Sequence, residues 1–163
     1  MDNPEPDERT ALLQRLELYR TMPPTLLDGL TEEQARRRLV SSKSTVLGIV
    51  KHLTFVERVW FTEALLNRPR TSLGLPADAA DSFDLDDNDT IDSIRAGYLA
   101  AVAESREHLA DFGLDDVVTG NPRRPQLNVR WILVHCVAEV AHHAGHHDIL
   151  REQLLAEDPP PLG

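Results

Sequence analysis

Apolar residues along most of the chain recur three and four positions apart, which is the spacing of amphipathic helices. Four long segments carry this pattern: 6–30, 44–67, 89–112 and 128–156. The alternation of β-branched and polar residues that is typical of strands is nearly absent. Pro23 and Pro24 interrupt the first segment, so we expect a kink or a break there. Thr31 should cap a short further helix over 32–39.

The segments between the helices predict how these pack. Residues 68–89 are rich in proline, aspartate and glycine and have too few apolar side chains to pack alone, whereas 113–127 form a shorter polar loop. Four helices with one long crossover connection are typical of a four-helix bundle. The sequence therefore predicts an all-α fold with a single domain over 1–156 and a frayed tail over 157–163.

Composition narrows the class of protein. The 163 residues fit one domain, and 41% apolar with 27% charged residues is typical of a globular chain. No apolar run approaches the roughly 20 residues of a membrane span, and acidic residues stand where a signal peptide is basic. We therefore expect a soluble, cytoplasmic protein without a membrane partner. The net charge of -10 argues against nucleic acid. The lone Cys136 excludes an intramolecular disulfide and a cysteine-rich zinc site.

Candidate chemistry is concentrated in the last helix, where five of the seven histidines lie between 135 and 147. Alternating steps of three and four give this helix an inward seam: Val129, Ile132, Cys136, Glu139, His143, His146 and Leu150. The middle of the seam is polar where a bundle would otherwise have leucine. A buried carboxylate without a partner costs several kcal/mol, and a bound cation removes that cost. The seam therefore predicts a metal site.

The second helix contributes to the same site. Its seam reads Thr45, Ile49, His52, Val56, Val59, Glu63 and Leu66, so His52 also points inward. Glu63 lies about 16 Å further along the axis and cannot share an ion with His52. His52, Glu139 and His143 form a three-ligand site with an open position, which is typical of a catalytic rather than a structural metal.

Other histidine pairs stay open as ligands. By spacing alone, His142 with His146 and His143 with His147 are equally good pairs, but His142 and His147 fall beside the seam. We interpret His146 as a fourth ligand or an outer-shell partner, His135 as a hydrogen-bonded flanking residue, and His108 as a residue without chemistry. Cys136 is expected to be a small core residue. The chain lacks the His-Glu-x-x-His motif of zincin proteases and the second Glu-x-x-His motif of di-iron bundles. It also lacks the Gly-rich loop of phosphate-binding proteins, so the sequence supports none of these three classes.

Two motif regions carry a family resemblance. Residues 44–53 (STVLGIVKHL) with 56–61 (VERVWF), and 128–135 (NVRWILVH) with 139–152 (EVAHHAGHHDILRE), resemble the DinB/YfiT-like superfamily. Within it, they are similar to the actinobacterial branch of mycothiol-dependent S-transferases and to the metal-binding domain of mycothiol-dependent maleylpyruvate isomerase. The isomerase has a second domain that this chain lacks, so isomerase activity is not implied.

The resemblance implies an up-down-down-up four-helix bundle and a divalent metal, often zinc, with nickel or another divalent ion as alternatives. The implied ligands are His52, Glu139 and His143, and a homodimer is expected. The leading hypothesis is a metal-dependent thiol S-transferase in which mycothiol attacks a small electrophile and His146 is the outer-shell acid or base. The alternatives are a metal-dependent hydrolase that uses the same site and a non-catalytic protein that binds a metal or a small molecule.

Overall fold

The computed structural model describes residues 5–157. It contains six α-helices: α1 (Glu8–Arg20), α2 (Met22–Thr25), α3 (Glu32–Arg36), α4 (Val46–Arg58), α5 (Ile91–Leu109) and α6 (Val129–Glu157). A π-helical segment, Val59–Ala64, continues α4, and two 3₁₀ helices, Arg70–Leu73 and Ala79–Phe83, lie between α4 and α5. Two short antiparallel strands, β1 (Val117–Val118) and β2 (Leu127–Asn128), pair Val117 with Asn128 and Val118 with Leu127. The predicted helical character is confirmed.

The helices pack around one apolar core. Helix α4 contacts α3, α5 and α6, while α6 also packs along α1, and the short α2 touches both α5 and α6. The largest completely buried apolar side chains come from α1, the α2–α3 loop, α4, the π-helical segment, α5 and α6: Leu16, Leu27, Leu47, Ile49, Leu53, Phe61, Tyr98, Ile132, Leu133 and Leu154. Over residues 5–157, no helix combines the length and apolarity needed to cross a membrane.

Threonine side chains begin three of the helices. Thr31, Thr45 and Thr90 accept hydrogen bonds from backbone N–H groups in the first turns of α3, α4 and α5. Each satisfies a donor that the helix itself leaves free. The predicted cap at Thr31 is confirmed. Helix α3 ends at Arg36, earlier than expected.

The predicted interruption of the first helical segment is also confirmed. Helix α1 ends at Arg20, and Pro23 and Pro24 occupy the first turn of α2. Proline is tolerated in a first turn because its missing N–H would lack a partner there in any case. At the other end of the chain α6 extends to Glu157, and the rest of the predicted tail, 158–163, lies outside the described residues.

The long connection between α4 and α5 is more ordered than its composition predicts. Its second 3₁₀ helix packs against α4. Gly48 allows this approach, since a Cβ at this position would lie 2.8 Å from the carbonyl oxygen of Phe83. This contact lies one helical turn before His52, so the connection is held against the middle of α4.

Candidate metal centre

Three side chains from two helices converge as the sequence predicts. His52 of α4 and Glu139 and His143 of α6 each offer one ligand atom, and these three atoms all lie within 4.8 Å of one another. His52 is buried, whereas Glu139 and His143 are partly exposed. Two imidazoles and a carboxylate are a donor set that suits zinc and similar divalent ions. The trio is thus close enough to meet at one ion after small side-chain rotations.

The 3₁₀ helix Ala79–Phe83 fixes the orientation of His52. Ser82 Oγ donates to the carbonyl oxygen of Ala79 at 2.6 Å and lies 2.7 Å from Nδ1 of His52. Because the one hydroxyl proton goes to Ala79, the oxygen of Ser82 accepts from Nδ1–H of His52. Phe83 stacks on the imidazole at a centroid distance of 4.0 Å. His52 is therefore held in the tautomer whose Nε2 carries the free lone pair, as a metal-ligating histidine requires.

Charge and burial set the protonation states of His52 and Glu139. Burial and the nearby His143 together lower the pKa of His52 to about 4, although Glu139 opposes the shift. The hydrogen bond from His143 lowers the pKa of Glu139, although burial opposes this. His52 is thus neutral and Glu139 anionic at neutral pH. These are the protonation states that bind a metal ion.

The remaining histidines of α6 differ in their surroundings. His142 and His146 are exposed, with ring centroids 4.2 Å apart, and the ring of His146 lies 5.8 Å from that of His143. His147 is completely buried. The seam predicted the reverse for these neighbours: His146 inward and His147 beside it. The buried stripe runs instead through Cys136, Val140, Ala144, His147 and Leu154, and Glu139 and His143 lie on its flank, next to α4.

A cavity of about 350 Å³ opens beside the trio, and both His52 and Glu139 line it. Aromatic rings form one wall: Trp60, Trp131 and His135 have mutual centroid distances between 4.7 and 5.4 Å. Burial lowers the pKa of His135, Glu139 opposes this, and the charge of Arg124 adds to the lowering. Nε2 of His135 lies 3.8 Å from Glu139. The cavity offers a small molecule an aromatic surface next to the candidate ligands.

Comparison with known families agrees with this site. The family model described as Mycothiol-S-transferase matches residues 11–156. The chain belongs to the mycothiol-S-transferase family. No curated protein matches the chain. The family is DinB/YfiT-like, so the predicted resemblance is confirmed. Membership implies a transferase enzyme with mycothiol as a substrate, as the sequence analysis expected.

The only thiol of this mycothiol-S-transferase family member is not a nucleophile. Cys136 is 1% exposed, and its burial raises the pKa of the thiol well above the ordinary value. The thiolate is the reactive form of cysteine, so Cys136 is inert and fills the core as predicted. The reacting sulfur must come from a substrate.

Several residues of the site were not predicted from the sequence. Ser82 lies in a segment that seemed too polar to pack, and no pattern marks it. Trp60 and Trp131 carried a usable signal, because one tryptophan lies on the π-helical continuation of α4 and the other on α6, the helices that bear the candidate ligands. Glu63 was correctly separated from His52: it is buried, and its carboxylate accepts two hydrogen bonds from Arg70 at 2.9 and 3.1 Å.

Proposed function

We propose that this chain transfers mycothiol to a small electrophile at a divalent ion held by His52, Glu139 and His143. The observation that carries the proposal is the convergence of these three ligand atoms at the wall of a cavity. Family membership indicates the reaction class, which is thiol transfer. The site contributes three possible metal ligands beside a cavity that could hold the electrophile. A divalent ion there would lower the pKa of a thiol brought to it, as it does that of water.

The side chains have separate tasks in this reaction. Glu139 would provide the negative charge that balances a bound ion, while Ser82 holds His52 in the tautomer that could ligate it. Trp60 and Trp131 exclude water from one side of the cavity and orient the electrophile. The thiolate sulfur forms a bond to the electrophilic carbon, and the leaving group departs with its electron pair.

The proton of the thiol needs an acceptor, and we assign it to His146. Burial lowers the pKa of His146, and the neighbouring His142 and His143 lower it further. His146 is therefore neutral at physiological pH and able to accept a proton. Its exposure gives that proton a route to solvent.

The proposal extends to architecture and setting. The contacts of α4 with α5 and α6 and of α1 with α6 support a single-domain four-helix bundle over 1–156, and family membership supports its up-down-down-up topology. The donor set supports zinc as the ion. The family resemblance supports a homodimer, and the composition supports a cytoplasmic protein.

A metal-dependent thiol assay tests the proposed function. The protein is stripped with a chelator, reloaded with zinc, and supplied with mycothiol and chlorodinitrobenzene while free thiol is titrated. Thiol consumption should need the ion, fall at least a hundredfold in His52→Ala, and persist in His142→Ala, the matched exposed histidine. Electrophile turnover without thiol loss would indicate hydrolysis instead. Metal binding with no turnover of any electrophile would indicate a non-catalytic protein.

A further inference from the structure

Three arginines line the same cavity as the candidate ligands, and they are not equivalent. Arg70 is neutralised, because its guanidinium donates to the buried carboxylate of Glu63 and to the carbonyl oxygen of Ala77. Arg123 and Arg124 are exposed, and within residues 5–157 neither side chain pairs with a carboxylate. The carboxylate of Glu139 also lines the cavity, so two cations without an ion-pair partner still leave the lining net positive in a chain with a net charge of -10.

The loop that carries these arginines is held rigidly. The side-chain oxygen of Asn121, which is 4% exposed, accepts hydrogen bonds from the backbone N–H groups of Arg123 and Arg124 at 3.0 and 3.2 Å. Gly120 donates to the carbonyl oxygen of Ala64 at 3.3 Å. A Cβ on Gly120 would collide with the backbone of Glu63, so only glycine fits this contact. The contact of Gly120 with the π-helical segment and the hydrogen bonds of Asn121 thus hold the backbone of Arg123 and Arg124 in place.

The side chain of Arg124 is also held in position, by a contact with Trp131. Its Cζ atom lies 4.6 Å from the ring centroid of Trp131, and Trp131 itself forms part of the aromatic wall. Stacking on an indole orients a guanidinium while leaving its N–H donors free in the plane of the group. Planar guanidinium groups favour carboxylates and other oxyanions, which accept two parallel hydrogen bonds.

We infer that Arg123 and Arg124 form an anion subsite that selects electrophiles bearing a carboxylate or a similar oxyanion. This inference rests on the proposed function for its reaction. Mycothiol carries no carboxylate or phosphate, because the carboxyl group of its cysteine is consumed in an amide bond. The negative charge that the arginines recognise therefore belongs to the electrophile. The aromatic wall holds the body of that molecule, and its reactive carbon points toward the trio.

Two matched aryl chlorides test the subsite in the zinc-loaded enzyme. With 4-chloro-3-nitrobenzoate and 4-chloro-3-nitrobenzamide, the sulfur of mycothiol displaces chloride, the S–C bond forms, and the thiol proton passes to the base. Relative to the uncatalysed rates, kcat/KM should favour the benzoate about tenfold or more. The double variant Arg123→Gln/Arg124→Gln should lose this preference. Arg15→Gln/Arg68→Gln removes the same charge from exposed positions outside the cavity lining and should keep it.

A binding titration separates this inference from the proposed function. Calorimetry with unreactive 3-nitrobenzoate and 3-nitrobenzamide should show about tenfold tighter binding of the anion to the wild type only. Equal binding of the two probes, or a preference that survives in Arg123→Gln/Arg124→Gln, would overturn the subsite. So would a loss of mycothiol affinity in that variant with unchanged probe binding. If neither aryl chloride consumes thiol, the proposed function fails, and the titration still decides the subsite.

Discussion

Ser82 Oγ lies 2.7 Å from Nδ1 of His52, and it brings the long connection between α4 and α5 into contact with the candidate metal centre. Both residues are buried, at 3% and 6% exposure, so the hydrogen bond does not compete with water. A segment whose composition indicated only a linker therefore determines which nitrogen of a candidate ligand is free.

Replacing Ser82 by alanine should weaken metal binding while leaving the fold intact. Loss of the hydrogen bond frees the ring to rotate and to change tautomer, and such outer partners are worth about 10- to 100-fold in metal affinity. Competition with a chromophoric chelator measures the effect. Ser82→Thr keeps the hydroxyl and should restore most of the affinity, whereas Ser72→Ala, at an exposed serine, should change nothing. An unchanged zinc affinity in Ser82→Ala would show that the hydrogen bond does not serve the metal.

Glu139→Gln should lose most of the bound metal, because it removes the anionic ligand of the trio. His142→Ala should keep about one ion per chain, because His142 is exposed and lies outside the trio. Mass spectrometry of the two purified variants side by side measures their metal content and distinguishes the trio from the His142/His146 pair as the ligands. Metal retained in Glu139→Gln and lost from His142→Ala would move the site to the His142/His146 pair.

Stability of the metal-free protein should fall as the pH drops below about 6.5. Burial, with a smaller contribution from the charge of Arg151, lowers the pKa of His147 to about 4, although the Val46 backbone opposes the shift. The unfolded chain therefore takes up a proton that the folded chain excludes, and stability is lost as the pH falls from 6.5 toward 4. This side chain accounts for about 3 kcal/mol of that loss at pH 4.

Urea unfolding at pH 7 and pH 4.5 in the presence of a chelator measures this contribution. His147→Leu should show a smaller difference between the two pH values than the wild type. His142→Leu, at an exposed histidine, should retain the wild-type difference. If the free energy of unfolding depended on pH identically in His147→Leu and the wild type, His147 would already take up its proton in the folded protein between pH 7 and pH 4.5.

Glu57→Gln should destabilise the fold far more than the loss of an exposed carboxylate. Glu57 and Arg20 are 1% and 3% exposed, and Arg20 donates to both carboxylate oxygens at 2.9 and 2.6 Å. Arg20 also donates to Glu17 at 2.7 Å, but Glu17 is partly exposed. The variant therefore removes the buried counter-charge of Arg20, and breaking a buried pair in this way costs about 3–5 kcal/mol. Thermal or urea unfolding should show this, while Glu104→Gln, at an exposed position, should stay within about 0.5 kcal/mol of the wild type. A small effect in Glu57→Gln would mean that Arg20 finds water or another acceptor.

The helices, their caps and the trio could be predicted because they depend on local rules. Apolar periodicity predicted the helical segments, and the polar residues in the seams indicated that His52, Glu139 and His143 lie together as candidate ligands. The error at His146 and His147 has a geometric cause. A seam written in steps of three and four has a period of 3.5, whereas a straight helix has 3.6 residues per turn, so the seam drifts by about 20° per heptad. Over the distance from Val129, the buried position moves on to His147.

Ser82, the arginine-bearing loop and the π-helical segment could not be predicted from periodicity. Each depends on a long-range contact: Ser82 is thirty residues from His52, and Gly120 meets the backbone at Ala64. Such contacts are specified by packing of the whole chain, and single-sequence patterns carry no sign of them. The two-stranded pairing of Val117–Val118 with Leu127–Asn128 is too short to show an alternating pattern.

The central claim is that the trio holds an ion to which mycothiol brings its thiol. X-ray absorption spectroscopy of the zinc-loaded protein, recorded with and without mycothiol, tests it directly. We expect zinc to have only nitrogen and oxygen neighbours in the first sample, and one added sulfur at about 2.3 Å in the second. Cys136 is buried in the core and should not supply this sulfur, and His52→Ala should abolish the signal. A zinc environment that is unchanged by saturating mycothiol would contradict the account.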